Sequence, residues 1–581
     1  MTLAGWIQII FFFAILLLLV KPMGKYMTRV FQGERVFLSR LLLPVERTIY
    51  RLAGVDPSSE MRWTTYTISL LVFNLFGILF LYLLLRIQEV LPLNPNGLDG
   101  LRPDMAIHTA VSFVTNTNWQ NYSGESTMTY LSQMAGLTVQ NFLSAATGIA
   151  IFVAVTRAFV RHGNNTLGNF WVDLTRSVLY ILLPISIILS FIFVSQGVVQ
   201  TFAPSVEVSL LQPFTSPSGT LISSQTISLG PVASQLAIKH LGTNGGGFFN
   251  ANASHPFENP NAFTNLVLML SQTVIPAALA YTFGKMVGDA KQGWAILAAM
   301  LLLLVVLTGC IYATEASGNP LFNRLNVDQA STAIQSGGNM EGKETRFGIA
   351  ASSLFAATTT STSNGAVNSM HDSYTPLGGL FLLLSMQLGE VVLGGVGSGM
   401  YSMLIFVIIA VFVSGLMVGR TPEYLGKKIE PFEMKMSALV ILIMPIVVLG
   451  LTALAVVTPA GQEGILNPGP HGFSEILYAF TSQGNNNGSA FAGLNGNSVF
   501  YNIMGSLAML VGRYWLAIPT LALAGSIAAK KKVPAGAGTL STTSLLFVAW
   551  LVGIILIVGA LNFLPALALG PIVEHLIMIG V

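Results

Sequence analysis

Long apolar runs alternate with short polar connectors along the whole chain. Ten of the runs reach the roughly 20 residues that a helix needs to cross a bilayer. They lie near 5–21, 64–86, 129–156, 178–200, 263–283, 293–314, 378–418, 437–457, 499–527 and 542–564. The seventh is too long for one straight helix, and a glycine-rich stretch, residues 389–399, interrupts it. The pattern predicts an all-α integral membrane protein of about ten transmembrane helices.

The connectors are of two kinds. After the first run come Lys21, Lys25, Arg29, Arg35, Arg40, Arg47, Arg51 and Arg62. Arg157, Arg161 and Arg176 follow the third, and Lys285 and Lys291 the fifth. Arg420, Lys427, Lys428 and Lys435 follow the seventh, and Lys530, Lys531 and Lys532 the ninth. Connectors after even-numbered runs are neutral or mixed and rich in Ser, Thr, Asn and Gly. Basic connectors stay in the cytoplasm, so both termini are expected outside. Met1–Val20 has no basic n-region and no small-x-small cleavage site, so it reads as a retained span rather than a signal peptide.

Composition agrees. Of the 581 residues, 53% are hydrophobic and 9% charged, against roughly 25% charged in soluble domains. A net charge of +3 with clustered basic residues gives no nucleic-acid footprint. The basic loops suit anionic lipid and acidic partner surfaces equally well. The single cysteine, Cys310, lies in an apolar run. It excludes an intrachain disulfide and a cysteine metal cage, and reads as a structural thiol.

Four of the outside connectors hold a short segment of small and amide residues. They read Thr115-Asn116-Thr117-Asn118-Trp119-Gln120-Asn121, Gly242-Thr243-Asn244-Gly245-Gly246-Gly247-Phe248, Thr360-Ser361-Thr362-Ser363-Asn364-Gly365-Ala366 and Ser482-Gln483-Gly484-Asn485-Asn486-Asn487-Gly488. Asn244-Gly245, Asn364-Gly365 and Asn487-Gly488 fall in register, with Thr117-Asn118 as a degenerate first copy. A stretch fit for a short helix precedes each, such as Asp104–Val114 or Phe347–Thr359. Single Asn-Gly pairs are usually tight turns. Four copies on one side, at intervals of roughly 120 residues, instead mark an internal repeat.

The predicted division is an N-terminal helix and basic loop (1–63), four pore repeats (64–177, 178–292, 293–436 and 437–540) and a C-terminal helix (541–581). Irregular backbone at membrane depth is tolerated only inside protein or along an aqueous cavity. Four such turns on one axis offer rings of carbonyls able to replace the hydration shell of potassium. The expected ion-binding residues are Asn116, Thr117, Asn118, Gln120, Thr243, Asn244, Gly245, Ser363, Asn364, Gly365, Asn486, Asn487 and Gly488. Asn118, standing where the others have glycine, is expected to alter the first turn's backbone and to narrow one side, with Gln120 reinforcing that wall.

The motifs Val114-Thr-Asn-Thr-Asn-Trp-Gln, Leu241-Gly-Thr-Asn-Gly-Gly-Gly-Phe-Phe-Asn-Ala-Asn and Leu388-Gly-Glu-Val-Val-Leu-Gly-Gly-Val-Gly-Ser-Gly resemble those of the KdpA family, essentially end to end. These are potassium-binding subunits of bacterial Kdp potassium-transporting P-type ATPases. The resemblance implies potassium as the transported ion and four repeats with one extra helix at each end. It also implies a bacterial inner-membrane location, a KdpB-like catalytic partner, and small KdpC- and KdpF-like membrane subunits. In such a family the glycine-rich interruption acts as a gate that diverts ions sideways through a tunnel. The expected gate and tunnel residues are Glu390, Gly394, Gly395, Gly397, Gly399, Arg513 and Arg420. Glu390 and Arg513 sit where charge is expensive, so they are expected to approach one another below the turns.

Other chemistry finds little support. The Asp-Lys-Thr-Gly phosphorylation motif is absent, so this does not read as the catalytic P-type chain; ATP hydrolysis is expected on a partner, and no nucleotide is expected on this chain. Gly337–Lys343 has P-loop spacing, but Glu344 stands where Ser or Thr must hold magnesium. The seven histidines show no ligand spacing. A stand-alone potassium channel or ion-coupled transporter is the alternative within the same class. A membrane enzyme using the polar loops lacks an acid–base pair near a nucleophile.

Overall fold

The computed structural model describes residues 1–332, 334–419, 421–534 and 540–580. Among the described residues ten helices are long and apolar enough to cross a membrane: Leu3–Phe31, Trp63–Arg86, Ser132–Val160, Phe170–Ser195, Ala262–Met286, Ala290–Asn323, Ser398–Met417, Pro431–Val457, Val499–Ala529 and Leu545–Ile579. The protein is a multi-pass membrane protein. Polar caps mark where several spans begin. Asn261 and Thr264 form a reciprocal capping box, and Ser498 and Ser544 accept from Tyr501 N and Phe547 N. Each satisfies backbone donors that the helix cannot.

Several spans outrun the apolar pattern. The first continues past Lys21 to Phe31. The last passes Pro565 through a wide turn at Ala568–Ile572 and reaches Ile579. A proline removes one hydrogen bond, which the wide turn accommodates. The seventh run is indeed broken: Pro376–Gln387 forms a short helix, Ser398–Met417 a span-length one, and an irregular loop joins them.

Spans two to nine pair into four units of span, short helix, turn and span. The short helices are Pro103–Val114, Val232–Leu241, Gly348–Ser361 and Pro470–Gly484. The two spans of a unit differ in burial. The second spans of the first two units are each 83% buried, against 33% and 39% for their first spans. The fourth unit repeats the contrast, 67% against 33%, while in the third the first span is also half buried at 56%, so the second spans form the inner ring and the first spans lie outside it. The N-terminal helix packs on Ala262–Met286, where Gly24 lets Tyr281 approach closely. The C-terminal helix packs on the third unit.

Several basic-loop residues are paired within the chain. Arg157 binds Asp173 at 2.6 Å, Arg176 binds Glu46 at 3.0 Å, and Lys530 binds Glu433 at 2.6 Å. The basic loops therefore present less free charge than their composition suggests. An antiparallel hairpin, Val206–Thr215 with Leu221–Ile227, projects from the second unit with most of its residues exposed.

Candidate functional site

Each short helix ends at a turn built by one repeated hydrogen bond. Thr117 N donates to Ser112 O, Asn244 N to Lys239 O, Asn364 N to Thr359 O and Asn487 N to Ser482 O, at 2.8–3.2 Å. This fixes Thr117, Asn244, Asn364 and Asn487 as equivalent centres, matching the register read from sequence. The residues on either side are all left-handed. They are Asn116 and Asn118, Thr243 and Gly245, Ser363 and Gly365, and Asn486 and Gly488, with φ between 47° and 99°. The centres have negative φ, and such alternation turns successive peptide carbonyls toward the same side. The four helices also aim their C-terminal, negative dipole ends at the turns.

The turns close a ring in chain order. A Cβ on Gly245 would collide with the carbonyl of Asn364, one on Gly365 with that of Asn487, and one on Gly488 with that of Thr117. Gly246 meets Asn118, which completes the circle. Above the ring opens a vestibule of about 1000 Å³, floored by Asn118, Gln120, Gly246, Gly365 and Gly488.

The amide side chains join neighbouring turns. Asn244 Nδ2 donates to Asn116 Oδ1 at 2.5 Å, and Asn116 Nδ2 to Thr243 O at 2.8 Å. Asn364 Nδ2 lies 3.4 Å from the carbonyls of Lys239 and His240. Asn487 Nδ2 donates to Thr359 O, and Asn486 Nδ2 to Thr117 Oγ1. These bonds spend the amide N–H groups on bracing the turns, while Asn118 Oδ1 and Asn244 Oδ1 stay buried without a hydrogen-bond partner among the described residues.

Two expectations for the first turn need correcting. Asn118 adopts φ 56°, the same left-handed region as the glycines, so its backbone is not distinct. Its amide Nδ2 donates to Asn141 Oδ1 on the inner helix at 2.7 Å, which draws the side chain toward that helix. Gln120 bridges to the second turn instead, donating to Gly247 O and accepting from Gly247 N. Asparagine tolerates left-handed φ better than most residues, which explains why the turn keeps its shape.

The interrupted helix supplies a loop directly below. Gly394 N donates to Ser361 O and Val396 N to Thr243 Oγ1, beneath the third and second turns. Its far end meets the first unit: a Cβ on Gly397 would strike the carbonyl of Gly148. The first and third units are diagonal in the ring, so this loop crosses under its centre. Gly394 and Gly399 pack on one another with no room for a side chain, and Gly395 lies under Thr243 and Ser363. Glu390 and Leu393 are held at φ 58° and 68°, strain of the sort kept at switch regions.

Glu390 and Arg513 are both buried, but no direct ion pair joins them among the described residues. Arg513 Nη2 donates to Ser144 O at 3.1 Å, beside the Gly148 contact. The hydroxyls of Ser398 and Ser363 and the charge of Arg513 all act on the Glu390 carboxyl. The expected approach therefore makes no direct charge-to-charge latch, because the Arg513 guanidinium is held by Ser144 O. Arg420 lies outside the described residues. A cavity of about 30 Å³ adjoins Glu390 and is bounded by Gln387, Asn485 and Asn562.

Sequence spacing also missed a histidine cluster. The His471 imidazole bridges Asp372 at 3.1 Å and Glu574 at 2.8 Å, with Glu475 at 3.9 Å. Burial alone would lower its pKa, but hydrogen bonds to Asp372 and Glu574, with their charges, raise it to about 10. An imidazolium clasp between carboxylates fits this better than a metal ligand, since both nitrogens are engaged. The near-miss P-loop is likewise structural: Lys343 is buried against Glu315 at 2.7 Å and lies over the Tyr374 ring.

Comparison with known proteins places this architecture. The solved potassium transporter TrkH from Vibrio parahaemolyticus shares the fold, with a TM-score of 0.51 over 87% of this chain and 96% of that one, at 14% identity. Potassium-transporting ATPase potassium-binding subunits are far nearer in sequence. That of Sorangium cellulosum is 60% identical over 578 residues, covering all of both chains. That of Herpetosiphon aurantiacus is 60% identical over 572 residues, 98% of this chain and 99% of its own. The family described as KdpA, potassium-transporting ATPase A subunit, matches residues 10–576. On these matches, the chain belongs to the KdpA family.

Proposed function

We propose that the chain captures potassium from outside the cell in the ring of four turns and passes it into an ATP-driven uptake complex. The observation that carries this is the closed ring of alternating left-handed turns, with a strained glycine-rich loop crossing beneath it. The ion's ligands are the carbonyls around Thr117, Asn118, Asn244, Gly245, Asn364, Gly365, Asn487 and Gly488. Asn116, Gln120, Thr243, Ser363 and Asn486 hold those turns in place. The loop from Glu390 through Gly399 blocks a straight fall to the cytoplasm, and the cavity beside Glu390 begins a sideways route. Arg513 anchors the first unit at the point where this loop lands.

The chain acts as a subunit of a potassium-transporting ATPase complex. A KdpB-like subunit hydrolyses ATP, and KdpC- and KdpF-like subunits complete the assembly in the bacterial inner membrane. Both termini face outward, as the basic loops require.

Reconstitution tests the reading. Proteoliposomes holding this chain with its catalytic partner are expected to show potassium-stimulated ATP hydrolysis, whereas the chain alone hydrolyses none. Rapid potassium flux through the chain alone, unaffected by the partner, would favour the stand-alone channel instead.

A further inference from the structure

Five positions before each turn centre, the short helix carries Ser112, Lys239, Thr359 and Ser482. In three repeats this side chain donates to the carbonyl two residues beyond the centre. Ser112 Oγ reaches Trp119 O at 2.9 Å, Thr359 Oγ1 reaches Ala366 O at 2.5 Å, and Lys239 Nζ reaches Gly246 O at 2.8 Å. In the fourth, Ser482 Oγ accepts from Gly488 N at 2.9 Å. A hydroxyl serves in three repeats, while the second uses an ammonium group.

That ammonium is buried, with its side chain 1% exposed, and Glu258 pairs with it at equal burial. Glu258 also accepts from Phe249 N through its other oxygen at 3.1 Å. The pair thus grips Gly246, in the middle of a run of three glycines that has little rigidity of its own, and Phe249 just beyond it. The Gly246 carbonyl, held by Lys239, is withheld from any ion, so the second turn's ligands end at Gly245. An unanswered cation in a low-dielectric interior would repel potassium at the neighbouring turn.

We propose that Lys239 and Glu258 form a charge-neutral clasp that positions the outer end of the second turn, with Glu258 cancelling the lysine's field at the ion site. The proposal rests on the reading of the turns as a potassium site. Its test uses the assembled complex, scoring potassium-stimulated ATP hydrolysis against potassium concentration.

Glu258→Gln strands the ammonium, and half-saturating potassium is expected to rise about tenfold or more while the maximal rate stays within about twofold. Lys239→Thr/Glu258→Gln supplies the third repeat's hydroxyl without either charge, and should return half-saturation to within about threefold of the parent. Gly488→Ala, run alongside, reports on the turns themselves. A shift for Gly488→Ala without one for Glu258→Gln overturns the clasp and leaves the potassium site standing. No shift for either overturns both. A double variant as impaired as Glu258→Gln, or one that does not assemble, overturns the electrostatic role. Should Glu258→Gln itself fail to assemble, the double variant decides: near-parental half-saturation supports the clasp, and a rise of about tenfold refutes it.

Discussion

Replacing Gly365 with alanine tests the ring most directly. The residue sits at φ 79°, and the added Cβ would strike the Asn487 carbonyl while lying 2.9 Å from Gly488 C and Cα. Left-handed backbone costs an alanine about 1–2 kcal/mol. The collision is separate, because every obstacle is backbone of the next turn and no rotamer relieves it. The Asn487 carbonyl must swing away, and the ion loses one ligand. Interactions of that kind with a charged group contribute about 1.5–3 kcal/mol. At about 1.4 kcal/mol per tenfold, affinity should fall roughly 10- to 150-fold. The assay is half-saturating potassium for ATP hydrolysis by the assembled complex. Gly54→Ala is the control, since it has φ 64° but nothing within 4 Å of the new Cβ, so it carries the strain without the collision. A shift under about threefold in assembled Gly365→Ala, or an equal shift in both variants, would refute the reasoning.

Three further outcomes are expected. Asn118→Gly should be tolerated, with half-saturating potassium within about threefold of the parent, because only the bond to Asn141 is lost and left-handed strain is relieved; a loss of tenfold would add the Asn118 side-chain oxygen to the ion's ligands. A double-mutant cycle on Glu390→Gln and Arg513→Gln, scored on half-saturating potassium, should give coupling below about 1 kcal/mol, since the two lack a direct pair, and coupling above about 2 kcal/mol would restore the latch. The His471 clasp should be pH dependent, with His471→Gln costing roughly 2 kcal/mol. Its pKa rises from 6.5 to about 10 on folding, so the stabilisation is complete below 6.5 and disappears as pH climbs through about 10. Thermal unfolding of parent and variant should therefore converge across that window, and a gap that stays constant with pH would refute it.

Much of the architecture could be read from the chain because it is written as a period. Twenty-residue apolar runs can only span, and glycine or asparagine at the left-handed positions betrays the turns wherever they recur. Register followed for the same reason: Asn244, Asn364 and Asn487 stand at one offset in three copies, so the degenerate Thr117 could be placed. Tertiary structure decided what those side chains do. Asn118 looked like a wall of the ion site, yet Asn141, which takes its amide, lies on another helix. Glu390 and Arg513 looked like partners because each is costly alone, but burial asks only for some polar partner, and Arg513 found Ser144 O.

The sequence by itself determined the ten spans, the four turns and their common register, since these depend on local composition and backbone preference repeated along one chain. Only the folded chain decided the order of the turns around the ring, the path of the glycine-rich loop from the third unit to Gly148 of the first, and the pairing of Lys239 with Glu258 and of His471 with Asp372 and Glu574. The physical reason is that burial demands a partner for every charge and amide, but does not name it. Which one is reached depends on how helices far apart in sequence pack against each other.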